Sequence, residues 1–287
     1  MAKTIHFICG LPRSGATLLC NILAQNPRFH VTSPPGVLEL LFLVRHHWNR
    51  SVEFKATPNE PGKLRVLKGV LESYFAAGGI TQPVLFDKSR AWLGMIEMAE
   101  ALLEREVKLL VPVRDVRDLL GSFEHLWRNN PHMRQVTQST ARDGSWETVE
   151  GRCDLWVRGE QPIGLCYNRI RDALLRGYRN RLHFVEYELL CRQPAQTISR
   201  IYAFLDEPEF DHDFQNVQHA TWDVDEMYQV PGLPRIRSKV EPAEPRWPFL
   251  LGQLAAKYAP NNHLWQQFQT DRPRVESAAL VAAPNAG

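Results

Sequence analysis

A glycine-containing turn near the start of the chain has the spacing of a phosphate-binding loop. It reads Gly10-Leu11-Pro12-Arg13-Ser14-Gly15-Ala16-Thr17. In loops of the form G-x-x-x-x-G-K-[ST], backbone N–H groups hold the phosphates, and the lysine reaches the β- and γ-phosphates of a nucleoside triphosphate. Here Ala16 stands in the lysine position, and the cation is Arg13, inside the loop. We therefore predict an anion site whose ligand is neither ATP nor GTP.

The stretches on either side of this turn predict the elements that position it. Residues 4–9 are apolar and favour a strand, and residues 16–25 have the pattern of a helix that ends near Pro27. In a strand–turn–helix unit, the N–H groups and the positive dipole end of the helix face the turn. The alternative is an ordinary turn that contains two glycines, and the cation at Arg13 favours the anion site.

A second candidate anion site follows another predicted strand. Residues 107–113 are apolar, and residues 115–128 have helical spacing. Arg114 follows this strand directly, and Ser122 lies about two helical turns further on. Because open parallel sheets bind ligands at the carboxyl ends of their strands, Arg114 and Ser122 are candidates for a second phosphate. The alternative is a solvated helix start in which Arg114 and Arg117 pair with neighbouring aspartates.

Four segments of the chain resemble, in order, the motifs of one enzyme family. Residues 7–19 resemble a 5′-phosphosulfate loop, and residues 84–89 are similar to a lysine-bearing KS/KT element. Residues 113–118, with Ser122, resemble a 3′-phosphate motif, and residues 183–190 resemble a strand with a YE-x-L element. The family is that of the sulfotransferases that use 3′-phosphoadenosine 5′-phosphosulfate (PAPS). The resemblance runs from about residue 4 to residue 245 and is nearest the bacterial and tyrosylprotein-like branch.

The resemblance implies that PAPS is the donor, that 3′-phosphoadenosine 5′-phosphate (PAP) is the product, and that no metal is required. The predicted 5′ cradle consists of Pro12, Arg13, Ser14, Gly15, Ala16 and Thr17. Its backbone N–H groups would hold the phosphosulfate, with the hydroxyls of Ser14 and Thr17 as further donors. Transfer develops negative charge on the leaving nucleotide, so we assign Arg13 and Lys88 to the bridging oxygen and the 5′-phosphate.

The same resemblance implies a 3′-phosphate subsite at Arg114 and Ser122, where a planar guanidinium suits a phosphate. Tyr187 would contact the nucleotide, and the alternative is an aromatic side chain that ends a strand in the core. A late basic segment is expected to fold over the 3′-phosphate, unless it is a solvated loop. Its candidate residues are Arg237, Ser238 and Lys239.

The acceptor hydroxyl must lose a proton, so a carboxylate or histidine should lie near the sulfur. Tyrosylprotein-like relatives carry a glutamate about twenty residues after the loop, whereas residues 30–36 contain no carboxylate here. The candidates, in order of preference, are Glu39, His47 and Asp87. His47 belongs to a pair of histidines that also fits a surface position, and Asp87 also fits a partner for a nearby cation.

Composition is that of a water-soluble enzyme. The chain has 287 residues and a net charge of +2, which implies no general attraction to nucleic acid. Its five cysteines form no close pair, so buried free thiols are expected. The sequence shows no apolar stretch long enough for a membrane and no signal-peptide core at its start, which predicts a cytoplasmic protein.

Strands that alternate with helices predict an α/β fold of the P-loop type, with three layers around a mostly parallel sheet. The predicted strands are 4–9, 83–87, 107–113 and 182–187. The predicted helices are 16–25, 36–49, 62–77, 91–105, 115–128, 163–179 and 194–205. We expect a single domain over 1–268, with 130–160 and 206–250 as lid or acceptor segments and 269–287 as a flexible tail.

The expected activity is sulfuryl transfer by in-line displacement to an acceptor hydroxyl on a small molecule, a sugar or a peptide. Two alternatives remain open. A P-loop kinase would use Asp87 on the magnesium side and a lysine from elsewhere in the chain, which Ala16 argues against. A catalytically inactive protein would bind the bisphosphate nucleotide without transferring anything.

Overall fold

The computed structural model of the chain describes residues 3–32, 36–77, 79–141, 143–220, 237–242, 244–245, 250 and 252–259. Five strands form one sheet in this part of the chain. They are β1 (Thr4–Ile8), β2 (Phe29–Val31), β3 (Val84–Lys88), β4 (Leu109–Val113) and β5 (Leu182–Glu186). Their order is β2-β3-β1-β4-β5, and every pair is parallel. This is the P-loop-type α/β fold that the sequence predicts.

Strand order reverses at β1, which places a ligand-binding crevice at a defined point. The chain passes from β1 to β2 at one edge and returns through β3, whereas β4 and β5 lie on the other side. In open parallel sheets, ligands bind outside the carboxyl ends of the strands at such a switch point. The turn after β1, the end of β3 and the turn after β4 all meet there.

Twelve α-helices occur among the described residues. They are α1 (Ala16–Leu23), α2 (Val37–Arg50), α3 (Val52–Ala56), α4 (Glu60–Ala77), α5 (Ile96–Leu103), α6 (Val116–Asn129), α7 (Pro131–Thr140), α8 (Val149–Trp156), α9 (Pro162–Leu175), α10 (Tyr187–Arg192), α11 (Pro194–Leu205) and α12 (Gly252–Tyr258). Within this part of the chain, no helix combines the length and apolar character needed to cross a membrane.

Apolar clusters cover both faces of the sheet, as expected for parallel strands. One cluster joins the sheet to α2, α4, α5, α6 and α9, and the other joins it to α1 and α11. Successive side chains of a strand point to opposite faces. In β3, Leu85 belongs to the first cluster and Phe86 to the second. Asp87 therefore lies on the first face, and Lys88 lies on the second face with α1.

The structure departs from the sequence predictions at several places, and helices α3 and α10 are not predicted. The short strand β2 was not predicted, because three residues carry too little periodicity. The helix predicted over 91–105 is a 3-10 turn at Arg90–Gly94 followed by α5. Segment 130–160, where the alternating pattern was expected to break, contains α7 and α8.

Parts of two sequence predictions lie outside the described residues. They are the tail 269–287 and much of the segment 206–250. All five cysteines are buried and free, as the sequence predicts.

Candidate functional site

The turn after β1 lies directly against β4. The N–H of Leu11 donates to the carbonyl of Pro112 over 2.9 Å, and the N–H of Cys9 donates to Leu110 over the same distance. A Cβ atom at Gly10 would lie 2.1 Å from the Pro112 carbonyl oxygen. The first glycine of the loop is therefore required by the close approach of two backbones.

Ser14 fastens the loop rather than pointing its hydroxyl outward. The side chain is buried, and its Oγ donates to the carbonyls of Leu11 at 2.6 Å and Pro112 at 2.9 Å. The sequence predicts that this hydroxyl donates to the phosphosulfate. In the structure the loop itself engages the hydroxyl proton, so the backbone N–H is the group through which Ser14 could contact an anion.

Arg13 connects the loop to the second motif. Its Nε donates to Ser122 Oγ over 3.3 Å, from the turn after β1 to the side of α6. Its backbone has φ of 62°, the left-handed region that costs a residue with a Cβ roughly 1–2 kcal/mol. Strained backbone of this kind is concentrated at functional sites, because the surrounding structure must hold it in place.

Gly15 is the N-cap residue of α1, and the ring of Tyr187 packs against Gly15. Its φ is 82°, and an added Cβ would lie 2.5 Å from the Cδ2 atom of Tyr187. The first N–H groups of a helix have no partner within the helix and attract anions. Tyr187 is the first residue of α10, half-buried, and forms one wall beside this helix start.

Lys88 reaches the start of α1 from the end of β3. Its Nζ donates to Thr17 Oγ1 over 2.9 Å. Its backbone N–H donates to Thr32 Oγ1 over 3.2 Å, and Thr32 in turn donates to the Phe86 carbonyl. The ammonium group therefore lies at the start of α1, beside the turn after β1, and its role toward a phosphosulfate stays a prediction.

Arg114 is buried at the end of β4 and is incompletely paired. Its Nη2 lies 3.6 Å from Asp118 Oδ2, and its Nε lies 3.8 Å from Glu188 Oε1. Neither Arg114 Nε nor Glu188 Oε1 has a hydrogen-bond partner among the described residues. The guanidinium also stacks on the ring of Tyr187, with its carbon 4.2 Å from the ring centroid. Tyr187 thus touches both the 5′ loop and the arginine of the second motif.

The alternative interpretation of this motif, an arginine paired with an aspartate at a helix start, describes Arg117. Arg117 Nε donates to Asp115 Oδ1 over 3.0 Å, and the same carboxylate caps α6 by accepting from the backbone N–H of Arg117. Arg117 is therefore part of a closed ion pair at the helix start, whereas Arg114 retains a donor without a hydrogen bond.

Asp87 lies in the apolar face of the sheet, away from Lys88. It is 0% exposed, and no hydrogen bond of good geometry reaches either oxygen among the described residues. Its polar neighbour is the indole of Trp92, and Cys9 lies within electrostatic range. Burial raises the pKa of Asp87 to about 7. The cation partner that the sequence analysis allowed for Asp87 is not seen in the described part of the chain.

The other two candidate bases lie on α2. Glu39 is exposed in the first turn of that helix, and His47 is exposed eight residues further along, packed edge-on against Phe54. Helix α2 begins shortly after the carboxyl end of β2, with Glu39 in its first turn. Eight residues of helix span about 12 Å, so these two candidates occupy different places.

The late basic segment pairs with its own carboxylate. Arg237 and Lys239 lie 3.4 and 3.6 Å from the oxygens of Glu241, and both side chains are exposed. The Ser238 carbonyl accepts from the N–H of Val217 over 2.7 Å. Among the described residues, these side chains contact Glu241 and are not brought against Arg114 or Ser122.

Two residues at the crevice are not predicted from the sequence. Glu188 is visible in the YE-x-L element, but its contact with Arg114 joins α10 to β4. Thr32 follows β2, a strand that the sequence does not predict. Among the described residues, no group of three His, Cys, Asp or Glu side chains has the arrangement of a metal site.

A family model of the sulfotransferase domain matches residues 3–231 of the chain. This is more than three quarters of its length, and it includes the loop after β1, the end of β3 and the motif after β4. The chain therefore belongs to the sulfotransferase domain family and is a transferase enzyme.

Solved structures, two of them of sulfotransferases, are similar to the chain at low identity. A sulfotransferase from Mycobacterium avium is 18% identical with a TM-score of 0.45, covering 72% of this chain and 65% of that one, just under two thirds of its length. One from Alicyclobacillus acidocaldarius is 17% identical with a TM-score of 0.47, covering 91% and 93%. Retinol dehydratase in complex with androsterone and the inactive cofactor PAP is 14% identical with a TM-score of 0.48, covering 96% and 84%. No curated protein sequence matches the chain.

Proposed function

We propose that the chain transfers the sulfuryl group of PAPS to an acceptor hydroxyl. One observation carries the proposal: the hydrogen bond from Arg13 to Ser122 joins the phosphate-binding turn after β1 to the arginine–serine motif after β4. Two anion subsites side by side match a nucleotide with phosphates at both its 5′ and 3′ positions. A nucleoside triphosphate places all its phosphates on one side of the sugar.

The residues present fit such a ligand. The first N–H groups of α1, which begins directly after Gly15, have no partner within the helix and suit an anion at the turn after β1. The Nε of Arg114 is buried and lacks a hydrogen-bond partner among the described residues, which is costly unless an anion completes it. Both features are explained by phosphate groups at the two subsites.

PAPS supplies an activated sulfuryl group whose departure leaves negative charge on the nucleotide. The cations that would stabilise this charge are Arg13 and Lys88, and the N–H groups at the start of α1 would hold the 5′-phosphate. Lys88 and Thr17 are already in contact, so the ammonium group is held in position before any ligand arrives. Arg114 and Ser122 would hold the 3′-phosphate, and Tyr187 would face the nucleotide between the two subsites.

Glu39 is the base we favour for the acceptor hydroxyl. It lies in the first turn of α2, near the carboxyl end of the sheet, whereas His47 lies about two turns further away. Asp87 has a pKa of about 7, which suits a base, but its carboxyl is fully buried on the face opposite Lys88. An acceptor that reaches Lys88 would not reach Asp87 without breaking into the core.

Segment 130–160 is the proposed acceptor wall. Buried Arg152 holds this segment to α6, since it donates to both oxygens of Glu124 and to the carbonyl of Trp146. Its guanidinium also lies 3.7 Å from the ring centroid of Trp127. The acceptor that this wall would contact is a hydroxyl-bearing small molecule, sugar or peptide.

A P-loop kinase receives less support. It would need a cation where Ala16 stands and a carboxylate open to a magnesium ion at the end of β3. Asp87 is the carboxylate at that position, and it is enclosed between Trp92 and Cys9 instead.

A calorimetric titration with PAP, adenosine 5′-phosphate and magnesium–ATP tests the proposal. We expect selective, magnesium-independent binding of PAP, because only this ligand fills both subsites. Preference for magnesium–ATP would contradict the proposal and indicate a kinase. Tight PAP binding, with no transfer from PAPS across a panel of phenol, sugar and peptide acceptors, would indicate an inactive binder.

A further inference from the structure

Arg114 and Glu188 are opposite charges that lie close together without a hydrogen bond. The Nε and Oε1 atoms are 3.8 Å apart, and each lacks a hydrogen-bond partner among the described residues. A buried arginine ordinarily gains its stability from close, bidentate bonds to a carboxylate. This pair therefore neutralises charge while leaving the guanidinium edge available to a better ligand.

We propose that Glu188 is a built-in competitor for the 3′-phosphate of the nucleotide. Its carboxylate balances Arg114 in the ligand-free chain and turns away when a phosphate dianion takes its place. This inference rests on the proposed function and adds a specificity-determining residue to it. A nucleotide with a free 3′-hydroxyl leaves the Arg114–Glu188 pair undisturbed, because a hydroxyl cannot replace a carboxylate as the counter-charge.

Glu188 can move in a way that the second carboxylate beside Arg114 cannot. The side chain of Glu188 is 34% exposed, whereas that of Asp118 is 8% exposed. Glu188 lies in the first turn of α10 and can swing into solvent without disturbing the core. Asp118 lies in α6, four residues after Arg114, and its buried carboxylate orients the guanidinium. We therefore assign displacement to Glu188 and orientation to Asp118.

The surroundings make the competing carboxylate sensitive to pH. Burial raises the pKa of Glu188, with a contribution from the negative charges of Asp118 and Asp115, although Arg114 opposes it. The charged and titratable groups that face Glu188 are Arg114, Asp115, Asp118, Tyr187 and Cys191. Arg117 is already paired with Asp115. Protonation of Glu188 as the pH falls therefore removes the competing charge.

The test compares the wild-type chain with Glu188→Gln by calorimetry, using PAP and adenosine 5′-phosphate at pH 7.5 and pH 5.5. At pH 7.5, we expect the variant to bind PAP at least threefold more tightly and adenosine 5′-phosphate unchanged. We expect the gap between the two proteins to narrow at pH 5.5. The partial protonation of PAP itself affects both proteins equally and cancels in their ratio.

Asp118→Asn is the matched control, because it removes a charge 3.6 Å from the same arginine, against 3.8 Å for Glu188. It should bind PAP no more tightly than the wild type. Unchanged or weaker PAP binding by Glu188→Gln would overturn the inference, as would equal tightening in both variants. If Glu188→Gln does not fold, as judged by its circular dichroism, Glu188→Asp serves instead, since the shorter side chain withdraws the carboxylate.

The outcome for the wild type separates this inference from the proposed function. Selective binding of PAP by the wild type, with no change in the variant, contradicts only the role of Glu188. Absence of selectivity for PAP over adenosine 5′-phosphate in both proteins contradicts the donor site and, with it, the competitor.

Discussion

Arg13 Nε donates to Ser122 Oγ over 3.3 Å, although 109 positions of sequence separate the two residues. Each residue belongs to a different anion motif, so the bond couples the two proposed subsites. Without a ligand, Arg13 of the proposed 5′-phosphate subsite donates a hydrogen bond to Ser122 of the proposed 3′-phosphate subsite. A nucleotide with both phosphates would exchange this contact for two charge-assisted ones.

Arg13→Gly should separate stability from activity. Glycine adopts φ of 62° without strain, so the variant should unfold at the same temperature as the wild type or slightly above it. Loss of the guanidinium should reduce kcat at least about a hundredfold, the scale seen when one charge-stabilising donor is removed. Thermal unfolding and a transfer assay with labelled PAPS measure the two effects. The exposed Arg200→Ala on α11 is the control, and full activity in Arg13→Gly would remove Arg13 from the mechanism.

Gly15→Ala should destabilise the fold and weaken PAP binding. The new methyl group would meet the Tyr187 ring at 2.5 Å, at a backbone φ of 82° that alanine disfavours. We expect a loss of about 1–3 kcal/mol in the free energy of unfolding, measured with denaturant. Gly69→Ala in α4 is the matched control, because its Cβ would meet nothing within 4 Å. That change should leave stability unchanged or raise it by up to about 1 kcal/mol.

Glu39→Gln tests the favoured base. If Glu39 accepts the acceptor proton, kcat should fall by roughly a hundredfold or more while PAP binding is unchanged. His47→Gln, on the same helix, should retain activity. The pair is measured by steady-state transfer and PAP calorimetry. Loss of activity in the histidine variant alone would reverse the assignment.

Asp87→Asn should stabilise the protein at neutral and alkaline pH. The pKa of this carboxyl rises from its ordinary value of 3.8 to about 7 in the folded chain because of burial. The folded state therefore favours the protonated form, and stability falls as pH rises from about 4 through 7. The shift corresponds to at most about 4 kcal/mol.

The measurement for Asp87 is the unfolding temperature between pH 4 and 8. The variant should match the wild type at pH 4 and exceed it increasingly above pH 5. The exposed Glu72→Gln on α4 controls for a change of net charge. Parallel curves for Asp87→Asn and the wild type would show that Asp87 is not the group that titrates.

Glu124 offers a comparison of two arginines on one carboxylate. Arg152 is buried and bonds to Glu124 over 2.7 and 2.8 Å, whereas the side chain of Arg128 is 55% exposed and bonds over 2.7 Å. Arg152→Ala removes the buried partner of Glu124 and leaves the exposed Arg128 on one of its oxygens, so it should cost up to about 3–5 kcal/mol in the free energy of unfolding. Arg128→Ala should cost under about 1 kcal/mol. Equal costs, measured by denaturant unfolding, would contradict this difference in burial.

The sequence predicted what local patterns encode. The turn after β1, its flanking strand and helix, and Arg114 at the end of β4 all follow from short-range periodicity and motif spacing. The short β2 is not predicted because three residues carry too little periodicity, and its pairing with β3 joins segments that are distant in sequence. The helices of 130–160 were missed because aromatic and charged residues mask their apolar spacing.

Contacts between segments that are distant in the chain could not be predicted from the sequence. Nothing in the linear pattern indicates that Tyr187 packs on Gly15, or that Glu188 lies beside Arg114, because these contacts depend on how β5 and α10 dock against β4. The preference for Glu39 over His47 was based on closeness to the loop in sequence. The structure places both residues on α2, about 12 Å apart along the helix, and the choice between them stays a prediction.

Backbone hydrogen bonds between the loop after β1 and strand β4 fix the distance between the two proposed phosphate subsites. Leu11 and Cys9 each donate to β4 carbonyls over 2.9 Å, so main-chain hydrogen bonds, together with the Ser14 hydroxyl, set the spacing between the two turns. Replacing Arg13 or Arg114 can weaken a proposed subsite without removing these bonds. Variants with a different acceptor or affinity should therefore keep the same distance between the two proposed phosphate subsites.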